Sequence, residues 1–287
     1  MSRVIGGTDV TPLQFDSVPY NNVGRMNVGC ACTYIGRHGT QNKPYAITAG
    51  HCTFGFSSGI FRIVFGVRDL DDMNFSSSSP NVVRVNAIHL HPDYNNDTLA
   101  NDISILELSD SPYVDGIELS GLEVGQQPEV DSVCKIMGWG LTRLSPEKTV
   151  MQKANVPVVI KHPYTQQSVS SAGVFYPSSY LLPGMLVIGE VSGGIDTCQG
   201  DSGGGVTDTS NKLVGVVSWG FGCAEPGYPG VYTDVAYFSQ GIENVVERGG
   251  WTTAPAPPPA PAPAPPPAPA PAPPPAPAPA PPPAPAP

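Results

Sequence analysis

The run Asp196-Thr197-Cys198-Gln199-Gly200-Asp201-Ser202-Gly203-Gly204 places a hydroxyl nucleophile beside glycine-borne backbone N–H groups and two carboxylates. A serine hydroxyl is a poor nucleophile at neutral pH, so Ser202 matters only if a general base and an orienting acid stand elsewhere in the chain. Thr48-Ala49-Gly50-His51-Cys52 follows an apolar, strand-like run and supplies a base. Asn101-Asp102-Ile103-Ser104-Ile105-Leu106 puts an acid at the head of another such run. Together the three suit acyl transfer. The serine attacks a carbonyl, the histidine takes and returns its proton, and the aspartate fixes the imidazole tautomer and stabilises its charged form.

The chain order His51, Asp102, Ser202, with all three flanking motifs, resembles the chymotrypsin/trypsin-like serine proteases (peptidase family S1), trypsin type, over about residues 4–249. The resemblance implies a serine endopeptidase that forms an acyl-enzyme. It implies an all-β fold of two six-stranded antiparallel Greek-key barrels, about 4–115 and 121–234. These would be joined around Leu108 to Pro128, with the active site between them and one helix over about 235–248. His51 and Asp102 would come from one half and Ser202 from the other. Gly200 and Ser202 would offer the two N–H groups that bind the oxyanion. Asp196, six residues before the nucleophile, would sit at the floor of the S1 pocket and select Arg or Lys, beside Thr197. Ser218, Trp219, Gly220 and Gly230 would form its walls, the glycines leaving room for a long side chain. Val4-Ile5-Gly6-Gly7, preceded by Arg3, matches the start of an activated chain. On that reading residues 1–3 are a short propeptide-like leader, cleavage between Arg3 and Val4 frees an ammonium group, and Asp201 pairs with it. The Arg3-Val4 bond is itself an Arg-X bond, so autoactivation is consistent with the specificity.

The same resemblance pairs Cys30 with Cys52 and Cys198 with Cys223. A bond closing about twenty residues stabilises by roughly 3 kcal/mol in the chain-entropy model. Cys134 lacks its usual partner, because Asp208 stands at that position, and Val187 replaces a cysteine of another common bridge. Cys32 and Cys134 are therefore expected to be buried free thiols, a mutual bond being the alternative. Disulfides persist in oxidising compartments, so the cysteines point to a secreted protein even though Met1-Ser2-Arg3 carries no apolar targeting segment. No apolar run approaches the roughly 18 to 20 residues that span a bilayer. The 14 basic and 24 acidic residues give a net charge of −10, which argues against nucleic acid and anionic membrane and favours basic peptides as partners. Protein or peptide substrates cut after Arg or Lys, protein protease inhibitors and a monomeric state complete the expectation. Two other readings use the same residues: a protease-fold binding or scaffolding module held by its tail, and a serine protease of non-tryptic specificity. Scaffolding relatives usually lose a triad member, and none is lost here.

The elements that must position these groups are short runs rich in β-branched residues, such as Ile60 to Phe65, Val82 to Val85, Val133 to Ile136 and Leu213 to Val217. Gly, Pro, Asn and Ser separate them, as in an all-β protein. Val235, Phe238, Ile242 and Val245 recur at helical spacing before Gly249-Gly250, which predicts a helix that packs on the body. From Ala254 to Pro287 only Ala and Pro occur, which predicts an extended polyproline II rod of about 100 Å at roughly 3.1 Å per residue. A stiff spacer is the plainest role for it. Contact with an extracellular matrix or wall is a second, since alternating Ala-Pro resembles the tracts of plant and green-algal wall glycoproteins. No metal is required. Asp69, Asp71 and Asp72 offer hard oxygen ligands for calcium, but a solvated acidic loop is the preferred reading. Asn74-Phe75-Ser76 and Asn96-Asp97-Thr98 fit the glycosylation pattern, the loop from Tyr164 to Gly184 carries no motif, and His38, His89, His91 and His162 lack a catalytic setting. If His51 is the base, kcat falls as pH drops through the histidine range, about 6 to 7. A kcat profile measured from pH 5 to 8 checks this, and a flat one removes His51 from the role.

Overall fold

The computed structural model describes residues 4–17, 19–76, 81–114, 117–140 and 149–251. The leader with Arg3 and the Pro/Ala tail lie outside the described residues. Among the described residues fifteen strands and three α-helices follow in order: β1 (Thr8–Asp9), α1 (Pro12–Phe15), β2 (Val23–Met26), β3 (Ala31–His38), β4 (Lys43–Thr48), β5 (Arg62–Val64), β6 (Val82–Leu90), β7 (Ser104–Leu108), β8 (Tyr113–Val114), β9 (Ile117–Glu118), β10 (Val133–Gly138), β11 (Gln152–Lys161), α2 (Gln166–Ser171), β12 (Met185–Ile188), β13 (Gly205–Thr207), β14 (Leu213–Trp219), β15 (Gly230–Asp234) and α3 (Ser239–Arg248).

Six strands close into a barrel in the order β2-β3-β4-β7-β6-β5. A second ring runs β11-β10-β13-β14-β15-β12 and closes through β11–β12, with β1 added outside β11. The expected two-barrel, all-β architecture is present. Alternation sets the inward faces. On β6, Val83 and Val85 are buried while Arg84 and Asn86 face out. β3 is buried on both faces because Cys32 and Tyr34 fill the first barrel while Ala31 and Ile35 join clusters outside it. The second barrel is filled by Ile136, Val156, Val158, Leu186, Val206 and Tyr232. Between Leu108 and Pro128 the chain is strapped to both barrels. Leu122 N–H reaches Tyr34 O at 3.1 Å, and Leu213 N–H reaches Glu123 O at 2.8 Å.

Two boundaries differ from the sequence reading. The segment from Val4 to Val10 does not belong to the first barrel: β1 pairs with β11, and Ile5 pairs with Asp196, both in the second half. Helix α3 begins at Ser239 rather than Val235, because Asp234 accepts the N–H groups of Ala236 and Tyr237 and holds them in a turn. Helical spacing alone does not register that competing acceptor. Val235 and Phe238 still join Ile242 and Val245 in one cluster, which packs on Ile35, Tyr45 and Ile47 of the first barrel. Among the described residues no helix is long and apolar enough to cross a membrane.

The disulfides are Cys30–Cys52 and Cys198–Cys223. Cys32 and Cys134 are free and buried in separate barrel cores. Burial pushes both thiols up, that of Cys134 to about 11, with a smaller contribution from Asp208. Neither thiolate is accessible at neutral pH. Ellman titration should accordingly count no thiol in the native chain and two after unfolding without reductant; a fast-reacting native thiol would contradict this burial.

Candidate active site

The first barrel positions His51 and Asp102. Strand β4 delivers the chain to a single 3-10 turn, Gly50–Cys52, pinned by the Cys30–Cys52 bond. His51 rides on that turn and Asp102 stands two residues before β7, which pairs with β4. Asp102 Oδ1 accepts the backbone N–H of His51 at 2.8 Å, and its Oδ2 lies 2.9 Å from His51 Nδ1. Oδ2 also accepts the Ser218 hydroxyl at 2.5 Å, while the Thr233 hydroxyl donates to the Asp102 carbonyl at 2.6 Å. An ionised carboxylate only accepts, so the proton of a neutral imidazole sits on Nδ1 and Nε2 is left with its lone pair. The Asp102 side chain is 1% exposed and that of His51 24%, so the acid is sealed while the ring reaches the surface of the cleft.

The second barrel brings the loop of Ser202 to this turn. Asp201 is wholly buried and accepts N–H groups from Gly140 at 2.7 Å and Cys198 at 3.0 Å. Gly138 and Gly140 are required beside it, since a Cβ at either would overlap the carboxylate oxygens. Desolvation pushes Asp201 up to about 7 against the opposing pull of those two N–H groups, then of Arg25. On the other side the loop docks on the first barrel. Ser202 O accepts the Ala31 N–H at 2.8 Å, and Gly203, at φ 81°, lies where a side chain would overlap Thr48 Oγ1 and Ala31 O. Ser202 is thereby held beside the end of the strand that leads into His51.

Ser202 lines a cavity of about 260 Å³ whose other walls include Ser218, Trp219, Gly220 and Gly230, with Asp196 also on it. The Cys198–Cys223 bond ties its two sides. Asp196 is 3% exposed. Its Oδ2 accepts the Ala224 N–H at 2.9 Å, while Oδ1 is buried without a hydrogen-bond partner. Burial pushes the acid up to about 6, against backbone donors from Ala224 and Thr197. The Thr197 hydroxyl turns away to the Tyr232 hydroxyl at 3.1 Å.

The chain matches the trypsin family over residues 4–242. It belongs to the trypsin family. Trypsin-1 of Astacus astacus is 36% identical over 244 residues, 82% of this chain and 96% of that protein. Trypsin eta of Drosophila erecta is 35% identical over 261 residues, covering 85% and 90%. A trypsin of Saccharopolyspora erythraea is 36% identical over 202 residues, covering 69% and 82%. This trypsin-family chain is a serine endopeptidase.

Other expected residues of the trypsin-family chain fall as follows. Val4 is fully buried in the second-barrel core, and Ile5 exchanges backbone hydrogen bonds with Asp196 at 2.9 and 3.2 Å. The acidic loop does not converge on a point: Asp69 accepts the Asp71 N–H, and Asp71 accepts the Thr149 hydroxyl. Among the described residues the group of side chains close enough to share an ion is Cys30, His51 and Cys52, two of which form a disulfide. Asn74 and Asn96 are both exposed. Sequence reasoning missed three features. Ser218 holds Asp102 as well as lining the pocket, and Thr233 holds its backbone. Trp219, Phe221, Tyr176 and Tyr228 stack beside the cavity with ring centroids 5.2 to 5.9 Å apart. Arg25 Nη1 donates to Gly200 O at 2.5 Å. Hydroxyls and aromatics at these distances in sequence carry no local signature; Arg25 in a short strand reads as a solvated charge.

Proposed function

We propose that this protein is a trypsin-type endopeptidase that hydrolyses peptide bonds after Arg or Lys, and that His51, Asp102 and Ser202 are its base, orienting acid and nucleophile. The observation that carries the specificity is Asp196 on the lining of the cavity shared with Ser202, its buried Oδ1 lacking a hydrogen-bond partner. A buried carboxylate oxygen without a donor is costly. A guanidinium or ammonium entering the cavity offsets that cost with a charge-assisted bond, so the pocket favours a basic side chain over an apolar one of equal size. With its side chain so held, the scissile carbonyl lies next to Ser202. Attack passes the hydroxyl proton to His51 Nε2, and the amide N–H groups of Gly200 and Ser202 receive the oxyanion. The imidazolium then protonates the leaving amine, and water releases the acid by the same steps in reverse.

Activation by cleavage between Arg3 and Val4 is supported by a second buried acid. Val4 is already seated in the barrel that holds Asp201, and a freed Val4 ammonium would supply a countercharge to that carboxylate. Secretion is supported by the two disulfides, which need an oxidising compartment.

Four measurements test this. Asp196→Ser should lower kcat/KM on arginine peptides by roughly 30-fold to several thousand-fold, since removing one partner of such a pair costs about 2 to 5 kcal/mol. Because Asp196 is pushed up to about 6, KM for arginine substrates should also rise as pH falls through about 6 in the wild type and stay flat in the variant. A variant with full arginine activity, or a wild type that prefers Phe or Ala peptides, refutes the specificity. For activation, chains beginning at Met1 and at Val4 are compared on an arginine peptide, the first expected to be at least about 100-fold slower, the effect of an unformed oxyanion site. Asp201 is raised above its unfolded value, so unpaired its contribution to stability is largest below pH 4 and is lost as pH rises through about 7. In a Ser202→Ala background the melting-temperature advantage of the Val4 chain should therefore widen from pH 4 to 8. Equal activity of the two chains removes the proenzyme.

A further inference from the structure

We propose that Arg25, on the first barrel, is a positioning residue for the oxyanion site: its guanidinium fixes the carbonyl of Gly200 and so holds the Gly200–Asp201 peptide that links the two donors, Gly200 N–H and Ser202 N–H. This rests on the reading of Gly200 and Ser202 as the oxyanion donors. Arg25 lies on β2 directly opposite Ala31 on β3. Ala31 N–H holds the Ser202 carbonyl at 2.8 Å, and Arg25 Nη1 holds the Gly200 carbonyl at 2.5 Å. One cross-strand pair of the first barrel thus grips two carbonyls of a loop that belongs to the second.

The residues between and before them are gripped from the other side. The Asp201 carboxylate takes the N–H groups of Cys198 and Gly140, and Asp201 N–H donates to Cys198 O at 2.9 Å. The Gln199–Gly200 peptide, which carries the oxyanion-binding N–H, therefore has Cys198 fixed on one side and the Gly200 carbonyl on the other. Gly200 has φ 95°, so no side chain stiffens it. Glycine there permits close approach of a substrate but leaves the peptide free to turn over. The Arg25 contact adds a second hold on the Gly200–Asp201 peptide, whose N–H is bonded to Cys198 O, and its two terminal nitrogens also pack 3.4 and 3.7 Å from the place a Gly200 Cβ would occupy. Arg25 is half-buried, which strengthens a charge-assisted bond to a carbonyl.

The test compares wild type, Arg25→Met and Arg25→Lys in the full chain, activated in parallel. Three quantities are measured: kcat and KM on an arginine peptide amide, Ki for benzamidine, which fills the pocket without reaching the oxyanion site, and the rate of Ser202 labelling by a small fluorophosphonate. For Arg25→Met, kcat and the labelling rate should both fall about 10- to 100-fold, the range for a lost hydrogen bond to a charged group. KM and the benzamidine Ki should stay within about twofold of wild type. Arg25→Lys keeps the charge without the planar fork and should recover part of the loss. If Arg25→Met keeps kcat within about twofold, or loses benzamidine binding in step with kcat, the inference is overturned. Should the Met variant fail to fold, the Lys variant decides: kcat must drop at least about threefold at unchanged KM. Labelling does not depend on Asp196, so the outcomes separate. A wild type that labels but ignores arginine peptides refutes the tryptic reading and leaves the labelling comparison to judge Arg25. A wild type that is never labelled refutes the nucleophile reading itself.

Discussion

The seam between Ala31 and Ser202 is the contact on which the site depends. Each barrel carries an incomplete set of groups, with His51 and Asp102 on one and Ser202 and Asp196 on the other. The set is assembled only where the loop of the second barrel lies against β3 and the end of β4. That approach demands glycine at 203, a hydroxyl at Thr48 pointing to Ala31 O, and two carbonyls presented to the first barrel. Val23 and Ala31 of the first barrel share one apolar cluster with Met137 on β10, Trp139 just after it and Met151 just before β11. The hydrogen bonds set the register of the seam, and this cluster supplies its burial.

Two carboxylates lie five positions apart in the loop, and both are buried. Asp196 raises Asp201 through space, in addition to the desolvation that dominates both. Cations arriving at the two sites therefore assist each other. A basic side chain that neutralises Asp196 lowers the cost of ionising Asp201, and a charge beside Asp201 makes the pocket carboxylate easier to ionise before substrate arrives. On the proposed reading, specificity and activation, which look like separate inventions along the chain, share one electrostatic account.

Much of this was legible in the sequence because acyl-transfer chemistry tolerates few residue types at each position. His51, Asp102, Ser202 and Asp196 are visible as motifs, and the family resemblance gave both disulfides and the two-barrel plan. What was not legible depends on contacts between distant positions. The start of α3 was misplaced since the apolar spacing continues through Val235 and Phe238 while the backbone there is captured by Asp234. The first residues were assigned to the wrong barrel because their pairing partners, Gln152, Lys153 and Asp196, stand more than a hundred positions away. Arg25 and Ser218 are ordinary residues in ordinary strands, and only the seam gives them a partner. Local pattern reveals what a residue is able to do; the fold decides what it meets.

The segment from Val4 to Val10 is sewn to the second barrel, while α3 and Trp251, whose indole N–H reaches His89 O at 2.9 Å, are sewn to the first. Each barrel is thus fastened by chain that leads out of the other. Neither can loosen alone without first stripping a strand or a helix from its neighbour, so partial openings that would bare a scissile loop are coupled to global unfolding. For a chain of an endopeptidase family, crossed fastenings also keep its own loops from being offered as substrate.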